Sequence, residues 1–525
     1  MRNERKTAIV GIAVLLTAVV GLSLLGALAK RQTESGAYDL PLTPAPLAED
    51  AMQGISSEDW TVDESFSSNL PLVILDTGDE RPPISMEQEK DGTFRPIPGV
   101  EPYRSGTLRV IDTGDVNTLH DKASYVSDVR LKRRGNSSML YEKAQYLVKL
   151  VTESGQDNEL DLMGMGAESE WVLNGSMADK SMMRNYLSYR MASAFMPYTP
   201  DSRYCEVLYY ENGQYHYEGV YLLIESIKQG PERVDISEAK SSDQFPSYIV
   251  RRDRAAEDEI ILDTWATAGP SKEARLGLIY PTQKNATPEA IEYVTEDLSR
   301  IEKVLYSDDP EVFATYSRYI DVDSFVDYFL FNEFFGSYDA GKNSTYMYKE
   351  LGGKLHMGPV WDLDGALDNY VAEPLEWEVT AFQTQPWFDR LSMDDNFLDK
   401  LERRYAELRR GPLSDKALYE TVDGIAAYLG PAVEREWTRW GHIYTTFNRY
   451  SMQSDGGLVR NTSEFRQEVY RIKTSISRHA EAIGPYLDVL EKSAEMNTDA
   501  SLYTPLALLL AILVFAVPAY YASRK

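Results

Sequence analysis

The hydrophobic and polar positions of residues 321–369 follow an ordered pattern. Asp321 or Asp323 is suited to cap a helix, because a side-chain oxygen there can accept from the first free backbone amides. Gly336 is placed to end that helix. The apolar residues at helical spacing are Phe325, Tyr328, Phe329, Phe331 and Phe334. The pattern therefore predicts a helix with a buried aromatic face.

Two short strands are predicted after this helix, at residues 345–349 and 354–360, with Gly352 and Gly353 turning the chain between them. A hairpin goes out and comes back, so its start and its end lie side by side. The loop before the first strand should therefore lie near the polar turn after the second strand.

Both of these segments carry oxygen-bearing side chains. Asp339 and Asn343 precede the hairpin, whereas Asp362 and Asp364 follow it. Like charges this close repel unless a cation or a proton lies between them. Such oxygen ligands suit Mg²⁺, which takes one or two carboxylates and leaves positions for phosphate oxygens. The alternative, that each acid only caps a turn or is solvated, stays open from the residues alone.

The earlier part of the chain is rich in predicted strands, and the later part is rich in predicted helices. Asn212-Gly213 marks a hairpin between two of the strands. The strand candidates are 70–76, 107–112, 126–132, 145–150, 204–210 and 217–225, and the helical stretches are 288–305, 397–408 and 419–429. This order predicts an α+β fold.

Two stretches carry candidate phosphate contacts. A glycine turn at residues 134–138 lies between two strands, as in a loop that covers a nucleotide, and Lys149 on the second strand is preferred over Lys143 for the phosphate contact. The same turn would also suit an ordinary hairpin. A helix from about 180 to 196 places Lys180 and Arg184 one turn apart, where they would either reach a phosphate or form a solvated face.

Both ends of the chain are apolar. Residues 8–29 follow three basic residues, which puts the amino end in the cytoplasm, and 506–517 precede a basic tail. The predicted organisation is an anchor or cleavable signal at 1–30, a linker at 31–68, a main domain at 69–495 and a transmembrane helix at 504–522. The main domain would divide near residue 235 and lie outside the cytoplasm, at the cell membrane.

Composition narrows the possible partners. The formal net charge of -28 argues against nucleic acid and would favour basic partners. The single cysteine, Cys205, excludes an intramolecular disulfide and a cysteine-rich zinc site. It lies in an apolar run, which is typical of a buried small side chain.

Four motifs in order give a resemblance to a known family. They are 134–138 (RGNSS), 179–185 (DKSMMRN), 218–225 (EGVYLLIE), and Asp339 with Asn343 followed by 361–364 (WDLD). With them the chain resembles the CotH kinase family, the spore-coat-protein-H-like atypical protein kinases. The resemblance implies a two-lobed kinase-like domain that phosphorylates Ser or Thr hydroxyls of a protein with ATP and Mg²⁺ or Mn²⁺, and the net charge favours a basic protein as that acceptor.

The resemblance also implies roles for single residues. It makes Asp339 catalytic, Asp362, Asn343 and Asp364 metal ligands, and Lys149, Arg134 and Glu225 nucleotide contacts. The chain departs from ordinary protein kinases at three points. The 180–196 helix has no acid to pair the lysine, no His-Arg precedes Asp339, and only three residues separate Asp339 from Asn343.

Two other functions are compatible with the same residues. The chain would otherwise be a non-catalytic surface or spore-coat-type binding protein with a vestigial nucleotide site, or a metal-dependent phosphohydrolase that uses water as acceptor. Glu225, at the end of a strand, would otherwise pair with Arg251 or Arg252.

Overall fold

The structure, a computed structural model, describes residues 38, 41–46, 48–78, 80–90, 94–135, 137–175, 177–254, 259–268, 275–369, 379–446, 460 and 462–522. The chain forms two compact units. The first contains residues up to Asp235 and Glu420–Thr446, and the second contains Ile236–Tyr419 and the residues after 446. Helices and largely antiparallel sheets give the α+β fold that the sequence predicts.

The bounds of the elements are as follows. The helices are α1 Arg184–Ala192, α2 Trp265–Ala268, α3 Pro288–Leu305, α4 Pro310–Phe313, α5 Val322–Phe335, α6 Phe388–Leu391, α7 Asp395–Arg410, α8 Asp415–Leu429, α9 Pro431–Thr446 and α10 Phe465–Ala522. Short 3₁₀ helices span Ser137–Leu140, Leu162–Gly164, Ala314–Arg318 and Phe382–Thr384. The strands are β1 Thr61–Val62, β2 Ser67–Ser68, β3 Leu72–Asp76, β4 Met86–Gln88, β5 Phe94–Pro96, β6 Arg104–Ile111, β7 Asn117–Thr118, β8 Tyr125–Arg133, β9 Tyr146–Val151, β10 Leu160–Asp161, β11 Ala167–Glu168, β12 Glu170–Asn174, β13 Ser202–Glu211, β14 Gln214–Glu225, β15 Tyr248–Arg252, β16 Ile260–Leu262, β17 Leu276–Tyr280, β18 Thr345–Lys349 and β19 Leu355–Met357.

The main sheet of the first unit closes on itself. Its strands run in the order β14-β12-β9-β8-β6-β3-β13, and β13 pairs again with β14. Among the described strands of this sheet, β3 and β13 are the one parallel pair. Alternate side chains fill the interior, among them the fully buried Trp171 and Cys205. The predicted hairpin is confirmed, since β13 and β14 join through Asn212 and Gly213, both with positive φ, as a two-residue turn requires.

The second unit contains the predicted helix and hairpin. Its sheet has the order β16-β17-β15-β18-β19, with antiparallel pairing throughout. The predicted strand at 345–349 is confirmed as β18, and its partner is the shorter β19. Helix α5 is buried on every side rather than on one face, because apolar residues surround its axis. It therefore lies at the centre of this unit.

Part of the predicted linker at 31–68 packs onto the first unit instead. The Tyr38 hydroxyl donates a 2.6 Å hydrogen bond to a backbone carbonyl, and the Ala45 amide donates to the carbonyl oxygen of Ala427 over 2.9 Å. Strand β1 pairs with β14, and Phe66 is buried. The linker prediction is wrong for these residues, because their contacts are with residues far away in the sequence.

The predicted transmembrane helices are not supported. Among the described residues, none of the helices combines the length and the hydropathy that crossing a membrane requires. The predicted N-terminal segment at 1–30 lies outside the described residues. The predicted span at 504–522 falls in α10 beyond residue 494, where side chains are not described. The predicted location at the cell membrane therefore stays a prediction from the sequence.

Candidate functional site

Helix α5 leads the chain into the candidate site. The side chain of Asp321 accepts a hydrogen bond from the Ser324 amide over 2.9 Å, so Asp321 rather than Asp323 caps the helix. The helix ends at Gly336, whose φ of 59° is left-handed, as the sequence predicts. The next residues therefore leave from a fixed helix end.

Residues 337–344, here the leading loop, hold Asp339 and Asn343 in one tight turn. The Asp339 carbonyl oxygen accepts backbone hydrogen bonds from Lys342 over 3.2 Å and from Asn343 over 2.9 Å. The Asn343 side-chain amide also donates to Asp339 Oδ1 over 3.4 Å. Asp339 is exposed. The structure thus brings these two predicted residues together, with the carboxylate accessible to solvent.

Two backbone hydrogen bonds fix the segment after the hairpin against the segment before it. The Gly358 amide donates to the Tyr346 carbonyl oxygen over 2.9 Å, and the Leu367 amide donates to the Phe335 carbonyl oxygen over 2.6 Å. Phe335 and Tyr346 flank the leading loop. Gly358 and Leu367 flank the stretch with the second pair of acids. These two hydrogen bonds join the ends of the leading loop to the ends of the stretch that holds Asp362 and Asp364. Both segments therefore lie in one region of the second unit.

Residues 361–369, here the trailing turn, hold Asp362 and Asp364. Asp362 is exposed and has a φ of 61°, and Leu367 and Asp368 have φ values of 51° and 58°. Residues other than glycine seldom adopt this left-handed conformation, and it persists only where the surrounding structure holds it. One such support is Asn369, whose side-chain amide donates to the Asp364 carbonyl oxygen over 2.7 Å.

The acids do not form a compact three-carboxylate cluster. Within the described ranges, no three His, Cys, Asp or Glu side chains are close enough together to hold a metal ion. The available donors are nevertheless oxygens of the kind that Mg²⁺ prefers. Mg²⁺ needs only one or two protein carboxylates when phosphate oxygens and waters complete its octahedron. The donors fit Mg²⁺ that arrives with a nucleotide, and the metal roles of Asp362, Asn343 and Asp364 stay predictions.

Arg252 supports the leading loop from the neighbouring strand, a role that the sequence did not indicate. It ends β15, where it pairs with Thr345, and it is 1 % exposed. Its Nη1 donates to the Gly341 carbonyl oxygen over 3.0 Å, and its guanidinium lies 5.3 Å from the centre of the Trp387 ring. Burial lowers the pKa of Arg252, although neighbouring phenols and carboxylates oppose this shift. No local pattern distinguishes this arginine from Arg251.

The role of Glu333 was also not indicated by the sequence. It lies on α5, fully buried, and its carboxylate accepts hydrogen bonds from the amides of Thr380, over 2.8 Å, and Phe382. Burial raises the pKa of Glu333 to about 7, although these two amides oppose the shift. The carboxylate thus ties α5 to the chain that follows the trailing turn.

The predicted nucleotide contacts belong to the first unit. Lys149 lies on the outer face of the closed sheet, since its neighbours on β9 alternate between buried and half-buried. Its Nζ lies 3.0 Å from Glu170 Oε2, and 38 % of its side chain is exposed. Arg134 directly follows β8, and its amide donates to the Gln145 carbonyl oxygen over 3.0 Å. Contacts of Lys149 and Arg134 with phosphate stay predictions.

Lys143, the second choice for the phosphate contact, is fully buried. Its Nζ donates to Glu436 Oε1 over 2.6 Å and to the Val220 carbonyl oxygen over 2.7 Å. The other oxygen of Glu436 accepts from the Val220 amide over 2.7 Å. Lys143 therefore anchors helix α9 to strand β14. Its side chain, without exposed surface, does not reach a ligand in this conformation.

Glu225 is enclosed by partners in the first unit. Its carboxylate is 2.5 Å from Arg233 Nη1 and accepts hydrogen bonds from the Tyr198 hydroxyl and the Asp201 amide. Burial raises the pKa of Glu225 to about 8, with the charge of Arg233 opposing the shift. The expected ion pair exists, but its partner is Arg233 rather than Arg251 or Arg252. A nucleotide contact of the Glu225 side chain stays a prediction, and its enclosure does not favour it.

Lys180 and Arg184, the second pair of basic candidates, are buried as well. Helix α1 begins at Arg184 rather than near Lys180, because the Asp179 side chain accepts from the Ser181 and Arg184 amides and forms a separate turn. Arg184 Nη1 also lies 2.6 Å from Asp179 Oδ1. Lys180 and Arg184 are 3 % and 0 % exposed. The alternative of a solvated face is therefore wrong for both.

A family model described as CotH kinase protein matches residues 131–483, which is more than half of the chain. The matched range includes the leading loop, the trailing turn and the strands β9 and β14. A search of the curated proteins finds no significant match.

Proposed function

The chain belongs to the CotH kinase family, and from this premise we propose that it is a protein kinase. It would transfer the γ-phosphate of ATP to a Ser or Thr hydroxyl of a protein acceptor, with Mg²⁺ or Mn²⁺. One observation carries the proposal. The two hydrogen bonds from Gly358 to Tyr346 and from Leu367 to Phe335 hold the two acid-bearing segments in one region. Phosphoryl transfer depends on such positioning, because there is little covalent chemistry for the protein to perform.

Asp339 is proposed as the residue that orients the acceptor hydroxyl and accepts its proton. Its carboxylate is exposed, as contact with a protein acceptor requires. The hydrogen bond from Asn343 limits its rotation. A carboxylate fixed in this way can hold a hydroxyl in line with the phosphorus atom, which is the main contribution expected of the base in this reaction.

Asp362 is proposed as the main protein ligand of the metal, with Asn343 and Asp364 as further oxygen ligands. When bound with ATP, the metal ion would neutralise charge on the phosphate oxygens. Asp362 supplies a hard anionic oxygen from an exposed position on a strained turn. Its left-handed backbone supports the proposal, because such conformations concentrate at functional sites.

Lys149 is proposed to contact phosphate oxygens of ATP, with Arg134 as a second contact. The side chain of Lys149 is 38 % exposed, and its ammonium group is already oriented by Glu170. The acceptor is proposed to be a basic protein segment, since the chain has a formal net charge of -28. The side chain of Glu225 has no part in the proposed site, because Arg233 and Tyr198 occupy its oxygens.

The test is phosphate transfer from labelled ATP, with Mg²⁺ or Mn²⁺, to a basic, Ser-rich protein. The wild-type chain is compared with Asp339→Asn. The matched control is Asp399→Asn, which removes an exposed carboxylate of α7 in the same unit. We expect label on the acceptor with the wild type and with Asp399→Asn, and none with Asp339→Asn. Equal labelling by wild type and Asp339→Asn would refute the catalytic role.

The alternative is a non-catalytic binding protein with a vestigial nucleotide site. One observation favours this alternative. Lys143 and Glu225, two of the residues predicted to contact the nucleotide, are both buried in ion pairs within the protein. The labelling experiment, together with melting temperatures measured with and without ATP and Mg²⁺, separates the two functions. Absence of label together with absence of stabilisation by ATP and Mg²⁺ would favour the binding protein. Release of free phosphate without a protein acceptor would indicate a phosphohydrolase.

A further inference from the structure

A group of buried charges lies behind the trailing turn. Arg460 and Arg471 are 0 % and 1 % exposed, and Asp368 and Glu468 are 2 % and 0 % exposed. Two positive and two negative charges make this group neutral. Buried charges are costly unless they are paired, and here Arg460 Nε lies 3.4 Å and Arg471 Nη2 lies 3.8 Å from the Asp368 carboxylate. The group is therefore a built network rather than a chance surface contact.

Arg471 makes the contacts that reach the turn. It lies in the first turns of α10, and its Nη2 donates to the Asp368 carbonyl oxygen. Its Nη1 lies 3.1 Å from Asn369 Oδ1 and 3.2 Å from Glu468 Oε2. Arg460 Nη2 donates to the same Asp368 carbonyl oxygen over 3.2 Å. One guanidinium thus spans the backbone of the turn, an amide side chain and a carboxylate.

The contacts continue towards the acids. Asn369, held by Arg471, donates through its side-chain amide to the Asp364 carbonyl oxygen over 2.7 Å. Between these points, Leu367 and Asp368 have left-handed backbones, which are costly for residues other than glycine. A strained turn needs support from its surroundings to keep its shape. Arg471 and Asn369 lie where they supply that support.

We propose that Arg471 is a positioning residue that, through Asn369 and the Asp368 carbonyl, holds the trailing turn in the conformation in which Asp362 and Asp364 bind metal. The functional part of this inference rests on the proposed function. Arg471 touches neither ATP nor the metal. It acts by fixing the backbone from which both carboxylates extend.

Lysine cannot replace arginine in this role. The planar guanidinium places several N–H groups in fixed directions, whereas an ammonium group is a single compact donor centre. Arg471→Lys keeps the charge that offsets Asp368 and Glu468 but cannot span three acceptors. Asn369→Ala is a second, milder variant, because it removes the link to Asp364 and leaves the ion pairs in place.

The experiment uses the full chain and two measurements. Hydrogen–deuterium exchange reports on the backbone of residues 361–369, with α3 as an internal reference. ATP binding followed during a Mg²⁺ titration reports on the metal requirement. The matched control is Arg404→Lys, which disrupts a two-hydrogen-bond ion pair with Asp327 in the same unit.

We expect Arg471→Lys and Asn369→Ala to speed exchange in residues 361–369 and to leave the exchange of α3 unchanged. The Mg²⁺ concentration at half-saturation should rise about 10-fold or more, as when a partner of a metal ligand is lost. Arg404→Lys should leave both the exchange of the turn and the Mg²⁺ requirement as in the wild type.

Other results would overturn the proposal. Unchanged exchange of the turn in Asn369→Ala would refute the positioning role, even if Arg471→Lys unfolded. Faster exchange with an unchanged Mg²⁺ requirement would show that the turn is not held for the metal. If the wild type bound ATP without any effect of Mg²⁺, the proposed function would fail. In that case the exchange data would still test whether Arg471 stabilises the conformation of the trailing turn, independently of any metal.

Discussion

A Cβ atom on Gly219 would lie 2.3 Å from Oε2 of Glu436, and the φ of Gly219 is 110°. The same carboxylate oxygen accepts the Val220 amide, and the other oxygen binds Lys143. The Trp440 indole donates to the Glu218 carbonyl oxygen over 2.9 Å. Strand β14 is irregular near Gly219. Because no side chain is present there, Glu436 and Trp440 of helix α9 bind the strand backbone directly. This contact gives the glycine of the EGVYLLIE stretch a physical reason.

The first prediction concerns this glycine. Gly219→Ala should lower the free energy of unfolding by about 3 kcal/mol, because it adds backbone strain and a clash with Glu436. The control is Gly213→Ala, which has a φ of 78° and nothing within 4 Å of the added Cβ. Its cost should be about 1 kcal/mol from strain alone. Urea denaturation measures both, and equal losses would show that the contact with Glu436 yields without cost.

The second prediction separates a phosphate contact of Lys149 from a purely structural ion pair. Lys149→Met should weaken ATP binding about 10-fold or more, the usual effect of losing a hydrogen bond to a charged group. Glu170→Gln breaks the same ion pair but keeps the lysine charge, so ATP affinity should hold or rise. Both should change stability by less than about 1 kcal/mol, because the pair is partly exposed. Calorimetric titration with ATP measures these affinities. Equal affinity of Lys149→Met and the wild type would contradict a phosphate contact of Lys149.

The third prediction is a pH dependence of stability that comes from Glu333. Its pKa is raised from the ordinary 4.5 to about 7 in the folded chain, chiefly by burial. Between these two pH values the folded chain holds a proton that the unfolded chain has lost, so stability falls as pH rises. The loss is on the order of 3 kcal/mol by pH 8. Glu333→Gln cannot titrate and should lose this slope.

Urea denaturation at pH 5 and at pH 8 measures this dependence. The control is Glu292→Gln, which removes an exposed carboxylate from α3. That control should keep the wild-type difference between the two pH values. A Glu333→Gln chain with the same pH difference as the wild type would show that the buried carboxylate does not titrate in this range.

The sequence predicted elements whose causes are local. The cap at Asp321 and the end at Gly336 were readable because each acts within a few residues of its own position. The turn at Asn212-Gly213 was readable for the same reason. The hairpin also predicted that the leading loop and the trailing turn share one region. That followed from chain direction alone and needed no side-chain contact.

Contacts between distant positions were not predictable from one sequence. Lys143 and Glu436 are 293 positions apart, and Arg471 and Asp368 are 103 apart. Nothing near Lys143 in the sequence distinguishes it from the half-exposed Lys149 before the fold is known. The same reason explains why residues 420–446 were not expected in the first unit. Buried ion pairs stabilise these contacts, and the sequence around each partner does not indicate which residue it pairs with.

The last prediction divides the roles of the two central acids. Asp362→Asn should weaken Mg²⁺-dependent ATP binding about 10-fold or more, because an amide replaces an anionic metal ligand. Asp339→Asn should bind ATP and Mg²⁺ as the wild type does, yet transfer no phosphate. Binding energy that does not position the acceptor hydroxyl cannot lower the barrier to transfer. The melting temperature with and without ATP and Mg²⁺ reports binding, since a bound ligand stabilises the folded chain, and labelled ATP reports transfer.

If Asp362→Asn were stabilised by ATP and Mg²⁺ as strongly as the wild type, the metal would have to lie elsewhere. If Asp339→Asn lost binding and transfer together, Asp339 would belong to the nucleotide site rather than to the acceptor side.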